Sequence, residues 1–581
     1  MKILLNKSKS NTTIDILLLA LICVVFILPG GTPYRHPDFV LSRALEAVKN
    51  GGNPNFFNYP GLVIYINTVI YSLIYCFMNL CNIIHNPTGF QQLYLSESLT
   101  IAPFKISFYL PSQIITALFS LLGVTCTYLA TYKLTEKRLI SFLSGLFVAT
   151  SLLWVSESHF LTVDIPLASL SIATIFTILI IIEKRCLNFK SLLVLGVLSG
   201  CTISAKYNGF IVFVAVFVTL IFVFRDDYRG LIKKLLFLGV VTLAVFFISN
   251  PFILLDFKVF LSDFLFELNH AKAGHLGYQT NNAWLFHLTH SLYLGYSLPL
   301  LLLSFLGLFW LAATKSVRVS SKLAITVFPL LFYLLMGSSN LAFQRYILPM
   351  MPFLGIFSSL GIYAFFGAIK TICSERHRAF KVSLISLVIN IIAISILPNI
   401  QNSLRHNIIL SRQDTRKDLF KAFTDTQIKG LDIISLAGNL INVHDVNLIN
   451  TQNEKQKDQE PLTADISLHL TIFNSFTHDR YIYDTTNKKL RDPHNIKNDS
   501  YVIQISPFRV PKDEVPFSPK SLYSPYPPDL VFRKKPGPYI EIYCDDHTLA
   551  QKIIQACNRQ NVDCSLLPAE EGFYLQKLFK N

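Results

Sequence analysis

The stretch "SESHFLTVDIPLASLSIATIFTILIIIEKR", residues 156–185, decides the fold. A carboxylate, Asp164, opens an apolar run that ends at Glu183, and Pro166 lies just inside it. The run is about 20 residues long, which is what a helix needs to cross roughly 30 Å of hydrocarbon. Runs of this kind recur at 13–30, 106–131, 138–155, 164–183, 190–204, 207–225, 230–254, 290–313, 321–338, 345–367 and 380–399. The chain therefore reads as mainly α, a polytopic transmembrane helical bundle of about 11–13 spans. A polar tail follows.

Composition points the same way. The chain is 52% hydrophobic and 15% charged, where a soluble protein carries about 25% charged residues. The formal net charge of +15 does not signal nucleic acid. Much of the basic excess lies in short loops, where it orients spans. These loops are "TYKLTEKR" (131–138), "EKRCLNFK" (183–190), "RDDYRGLIKK" (225–234), "TKSVRVSSK" (314–322) and "KTICSERHR" (370–378). A cytoplasmic N-terminus places all of them inside. The opening "MKILLNKSK" and the apolar run after it lack a small-x-small cleavage site, so the first run reads as an uncleaved span. The cysteines form no framework: Cys23, Cys126 and Cys201 sit in apolar runs, and no C-x-x-C pair occurs.

The segment "GLVIYINTVIYSLIYCFMNL" (61–80) is also long enough to span. Crossing there would invert the basic loops, so it is expected to lie in the interface or to enter and return. The competing explanation is a further span between 81 and 105. On this topology the loops 31–105 and 255–289, the turns at 156–164 and 204–209, and the tail all face outward. Residues 1–399 then form the membrane domain and 400–581 a soluble α/β domain. Within the tail, "LDIISLAG", "ADISLHLTIF", "SYVIQIS" and "PYIEIYC" read as strands. "HTLAQKIIQACNRQ" reads as a helix with "DCSLLPA" as a strand after it.

Ionisable residues gather on the outward side. "HPDFVLSRALEAVKN" (36–50) reads as an amphipathic surface helix, with Pro37 and Asp38 suited to its start. Leu41, Ala44, Leu45 and Val48 fall on one face, and Arg43, Glu46 and Asn50 towards the other. Asp38 and Asp164 both stand at a membrane boundary, near His36 and His159. Such groups are costly there and tend to be functional. Lys206 and Arg345 supply cations on the same side and together suit a phosphate. His287 and His290 lack a carboxylate at zinc-binding spacing, and the loop at 255–289 reads as a second interface helix with Phe260, Phe264 and Leu268 on its apolar face. A secondary transporter would carry its charges near the midplane and show repeated halves; no half-repeat is seen. A non-enzymatic scaffold presenting the tail would not need these four charges on one side.

With these residues in place, the sequence resembles a family. "HPD…RAL…NPNFFNYPGL", "SHFLTVDIPL", "AKYNG", "NHAKAGHLG" and "FQRYILPMMPF" look like the protein O-mannosyltransferase-like glycosyltransferases. These form glycosyltransferase family 39 in the GT-C superfamily, with bacterial members related to the lipid A aminoarabinose transferase. "DTR" (414–416) and "PGPYIEIY" (536–543) resemble the tail of bacterial members. The resemblance implies a GT-C fold, a polyprenyl-phosphate-linked sugar donor and an active site on the outer, periplasmic face of the bacterial inner membrane. It implies catalytic roles for Asp38 and Asp164, while Lys206 and Arg345 are the candidates for the donor phosphate. His36, His159, Tyr207, His275 and Tyr59 are the supporting candidates. A lipid, a glycan or a protein remains open as acceptor; no cofactor is implied, and a divalent metal is left open. Where the family often has Asp-Glu, this chain has Asp38-Phe39.

Overall fold

In the computed structural model the described residues are 2–27, 40–96, 98–101, 104–273, 282–340, 343–372, 378–414 and 417–418. Towards the C-terminus they are 468–472, 482–484, 489–491, 501–505, 535, 540–544, 547–562 and 564–568. Asp38, His36 and His275 lie outside them, as does the strand expected at 431–438. The chain divides into two compact units, residues 1–29, 38–274 and 280–404 in one, the remainder in the other.

The first unit is a helical bundle, and the chain is a multi-pass membrane protein of the expected mainly α class. Among the described residues 8 helices are long and apolar enough to cross a membrane, or up to 10 if each bent pair is one span. Thr12–Ile27 and Phe189–Ala205 are apolar but shorter. The region 81–105 holds the short helix Pro87–Ser96 and a hairpin, Ser98–Ile101 with Phe104–Ser107. Neither is long enough to cross, so no further span lies among the described residues there. Leu62–Leu80 is one continuous helix, apolar on its exposed face at Val69, Leu73, Phe77 and Leu80.

Local sequence explains the helix ends. Asn188 Oδ1 accepts from the Ser191 N–H at 2.9 Å and so caps Phe189–Ala205. Val40–Lys49 is amphipathic as read, burying Leu41, Ala44 and Leu45 while Arg43 reaches Glu46 at 3.4 Å. Asp15 is the residue whose role the sequence hid. Arg138 grips it with two bonds, Nε–Oδ2 at 3.0 Å and Nη2–Oδ1 at 2.7 Å, and Tyr128 donates to Oδ2 at 2.8 Å. This clasp ties the first helix to its neighbours.

Among the described residues two apolar helix pairs are sharply bent at a break. Arg138–Ala149 and Leu152–His159 meet at 55°, and Ala283–Tyr296 and Leu298–Ala313 at 110°. A break frees carbonyls that hydrocarbon cannot hydrate. The helix Arg378–Leu410 serves both breaks from one stripe spaced by one turn each, Ser395, Asn399 and Ser403. Ser403 Oγ donates to Thr150 O at 3.0 Å, Asn399 Nδ2 to Tyr296 O at 2.9 Å, and Ser297 Oγ to Ser395 O at 3.3 Å. The span expected to end at 399 therefore continues through Leu410. Leu298–Ala313 and Met351–Ile372 pack backbone to backbone. A Cβ on Gly307 would stand 1.8 Å from Phe357 O, and one on Gly361 2.2 Å from Leu303 O.

In the second unit, Leu468–Ile472, Ile540–Cys544, Tyr501–Ile505 and Cys564–Pro568 lie in that order in one antiparallel-paired sheet. The helix His547–Arg559 links the last two strands in sequence, as the strand–helix–strand pattern predicts.

Gly307→Ala should lower the thermal midpoint of the purified protein, because overpacking costs about 1–3 kcal/mol. Ser403→Ala should cost about 1–3 kcal/mol through the orphaned Thr150 carbonyl, read in the same melting experiment, with Ser411→Ala, exposed just past the end of the same helix, as the unaffected control.

Candidate functional site

The site forms where several helix ends meet. Asp164 is the first residue of Asp164–Lys184 and is 1% exposed. Lys206 sits in extended backbone between Phe189–Ala205 and the turn Tyr207–Gly209. Its Nζ lies 2.8 Å from Asp164 Oδ1. Arg345, in the 3-10 turn Gln344–Met350, places Nε 3.7 Å from Asp164 Oδ2. Both cationic side chains are nearly buried, at 12% and 11% exposure. The structure thus brings together three residues far apart in sequence.

Aromatic rings complete the cation site. Lys206 Nζ stands 4.2 Å from the Tyr346 ring centroid and 5.9 Å from that of Tyr59. Arg345 lies over the Phe343 ring at 5.4 Å. Two cations and one carboxylate leave a net positive charge on this trio, in a setting with little water. Charges so placed need partners, because burial of an uncompensated charge is expensive. A phosphate is the anion that a fork-shaped guanidinium and a point-charge ammonium suit.

The turn that aims Lys206 depends on Gly209. A Cβ there would lie 2.4 Å from the Thr202 carbonyl, so the chain can turn this tightly only without a side chain. Asn250 braces the same corner: Nδ2 donates to Ser204 Oγ at 3.0 Å, and Oδ1 accepts from the Gly61 N–H.

Tyr59 reaches Lys206 from the loop 51–61, and a row of acids holds that loop. Asp256, Asp263 and Glu267 accept from Asn53 Nδ2 at 3.2 Å, the Phe57 N–H at 2.8 Å and Asn58 Nδ2 at 2.7 Å. Tyr207 contributes from the other direction, its hydroxyl donating to Phe57 O at 2.8 Å. Asp263 and Glu267 lie on Phe257–Ala273, the expected interface helix, whose face divides differently from the sequence reading. Phe260 and Phe264 pack inward on Phe57 and Tyr207, at 6.2 and 5.2 Å between centroids. Leu268 is exposed, beside Leu265. The acids must sit next to Phe260 and Phe264 to reach the loop, and this leaves Leu268 on the outer face.

His159 is buried at the end of Leu152–His159. Glu157, two residues earlier, is fully buried and was missed; "SESH" gave no periodic signal to separate it from a helix-end carboxylate. His287 and His290 fall in a π-helical turn rather than a regular helix. His287 Nδ1 meets Ser291 Oγ at 3.0 Å, and His290 stacks on Phe286 at 5.1 Å. They do not converge on one point. The acid row was legible in principle, since 256, 263 and 267 share a helical face.

Residues 107–253 match the family model described as dolichyl-phosphate-mannose-protein mannosyltransferase. Over that segment the chain is similar to the mannosyltransferases of that family. The matched segment carries Asp164, Lys206 and Asn250, while Arg345 lies beyond it. Among solved structures, ArnT from Cupriavidus metallidurans bound to undecaprenyl phosphate is 15% identical, with a TM-score of 0.48, over 76% of this chain and 84% of that one. The Archaeoglobus fulgidus oligosaccharyltransferase AglB, in complex with an inhibitory peptide and a dolichol-phosphate, is 11% identical, with a TM-score of 0.48, over 79% and 61%. The S. cerevisiae protein O-mannosyltransferase Pmt1-Pmt2 complex, bound to the sugar donor, is 17% identical, with a TM-score of 0.33, over 44% and 34%. No curated protein matches.

Joint substitution Asp263→Asn with Glu267→Gln should free the loop that carries Tyr59. Loss of a charge-assisted hydrogen bond corresponds to about tenfold or more in local opening. Limited proteolysis at Phe56–Phe57 should accelerate by that factor while cleavage elsewhere is unchanged.

Proposed function

We propose that the chain is a membrane glycosyltransferase that moves a sugar from a polyprenyl-phosphate donor to an acceptor hydroxyl on the outer face of the inner membrane. One observation supports this above the others: Lys206 and Arg345 converge on the buried Asp164 carboxylate at the mouth of a span. A polyprenyl phosphate keeps its tail in the bilayer and needs positive charge at that depth.

In this reading Lys206 and Arg345 stabilise the charge that grows on the leaving phosphate. Phosphate already leaves well, so two fixed cations suffice in place of a strong acid. Asp164 keeps the cations aimed and lowers the cost of burying them. Both carboxylate oxygens of Asp164 already face cations. General-base duty therefore falls to Asp38, which takes the proton from the attacking hydroxyl. A single displacement inverts the sugar carbon. His36, His159, Tyr207, His275 and Tyr59 support the site, Tyr59 by facing Lys206 and Tyr207 by fixing the loop behind it. The tail, 400–581, lies outside the cytoplasm in this topology, as a soluble α/β domain.

The test uses purified protein in lipid with polyprenyl-phospho-mannose and its pentose counterparts. Asp38→Asn should lower kcat by about 100-fold or more, as loss of a general base does; turnover equal to wild type would remove the base assignment. Lys206→Ala should raise the KM for donor well above any change in the acceptor KM. A change confined to the acceptor KM would defeat the phosphate assignment.

A further inference from the structure

Two turns that adjoin the cation pair each hold a buried polar atom with no hydrogen-bond partner among the described residues. The first is Asn208, in the Tyr207–Gly209 turn, which the Gly209 N–H closes on the Lys206 carbonyl at 2.8 Å. Its Nδ2 meets the Met336 sulfur at 3.9 Å, and its Oδ1 is the unmatched atom. The second is His287, fully buried in the π-helical turn His287–Leu292. Its Nδ1 lies 3.0 Å from Ser291 Oγ, and its Nε2 is unmatched.

Short pieces of chain tie both residues to the cations. Asn208 follows Lys206 by two residues. The π-helical turn packs against Gln344–Met350, which carries Arg345. Both also adjoin the end of the helix Val319–Gly337. Met336 meets Asn208 there, and Gly337 lies against Trp284, three residues before His287, where a Cβ would stand 2.3 Å from the indole. Ser169, Ser199 and Asn399 hold unmatched atoms as well, but inside regular helices rather than in these turns.

A buried polar atom left unmatched is costly, and each one calls for a physical reason. Two of them beside a pair suited to phosphate share one. In a polyprenyl-phospho-sugar the group next to the phosphate, away from the lipid, is the sugar. Its hydroxyls are each both donor and acceptor. A hydroxyl can donate to Asn208 Oδ1, and it serves His287 Nε2 in either ring tautomer. A hydrocarbon chain satisfies neither atom.

We propose that Asn208 Oδ1 and His287 Nε2 bind two hydroxyls of the donor sugar and so determine which sugar is accepted, an inference that rests on the glycosyltransferase reading above. Lys206 and Arg345 hold the phosphate that all such donors share. Asn208 and His287 discriminate among the sugars, because a site built to hydrogen-bond a hydroxyl strongly rejects the analogue that lacks it.

The test measures binding by calorimetry with the full chain in lipid nanodiscs. The ligands are polyprenyl phosphate, polyprenyl-phospho-mannose and its pentose counterparts, and the monodeoxy forms of whichever sugar binds tightest. In the wild type that sugar should tighten binding over polyprenyl phosphate, and loss of either of two particular hydroxyls should weaken it by about tenfold. Asn208→Ala should lose about the same factor with the intact sugar and become indifferent to one of these hydroxyls. His287→Phe, which keeps a ring but no ring nitrogen, should become indifferent to the other. Asn208→Ser and His287→Asn replace any variant that does not fold, with the same outcomes expected. A panel in which no sugar tightens binding would overturn the inference. Equal affinity of the wild type for every monodeoxy form would do so too, by giving both atoms to water. Variant losses that simply add to those of each missing hydroxyl, or that extend equally to polyprenyl phosphate, would mark a structural role and overturn it as well. Turnover, scored separately as polyprenyl phosphate released with a lipid, a glycan and a peptide hydroxyl as acceptors, keeps the two readings apart. Hydroxyl-selective binding without release would defeat the transferase reading and uphold a sugar site; release without hydroxyl selectivity would do the reverse.

Discussion

Hydrocarbon does not hydrate a polar group, and most of this bundle is arranged around that fact. Where a span is straight, its own helix pairs every backbone group. Where it breaks, something else must do so. The two breaks here are served by Ser395, Asn399 and Ser403, spaced one turn apart on a single helix. The same constraint governs charge. Asp164 is tolerable at its depth because Lys206 and Arg345 lie against it, and Asp15 because Arg138 and Tyr128 do.

The breaks and the charges are connected through position. The 55° break turns Leu152–His159 so that its end leads, within five residues, to Asp164. The helix end, the turn "AKYNG" and the turn "FQRYILPM" then meet at one corner. Rigidity there comes from close approach rather than bulk. Gly209 lets the turn lie on the Thr202 carbonyl, and elsewhere in the bundle Gly307 with Gly361 lets two helices touch backbone to backbone. Sites held by helix ends and glycine contacts keep their geometry better than sites on long loops. The loop 51–61, which takes part in the site, is correspondingly tied at several points.

The electrostatics also divide the labour. An ion pair that only stabilised the fold would be neutral. Here one acid faces two cations, with the rings of Tyr346, Tyr59 and Phe343 against them. Rings of this kind favour cations without neutralising them. The trio thus carries a net positive charge, while Asp263 and Glu267 are engaged by backbone and amide donors of the loop.

Apolar run length was enough to read the membrane class, because crossing a bilayer imposes a length on every span. The boundary positions of Asp164, Lys206 and Arg345 were legible for a related reason: charge is rare in such runs and stands out. Asp15 and Glu157 were not legible as partnered or buried groups, since a carboxylate near a helix end looks the same whether it faces solvent or protein. Nor was the stripe 395–399–403, whose purpose exists only once two other helices break beside it. The sequence by itself determined the mainly α, multi-pass class and which charged residues stand at the ends of its apolar runs. Only the tertiary structure decided which of those charges meet, because contact between residues 164, 206 and 345 depends on how helix ends pack, and no local period encodes that.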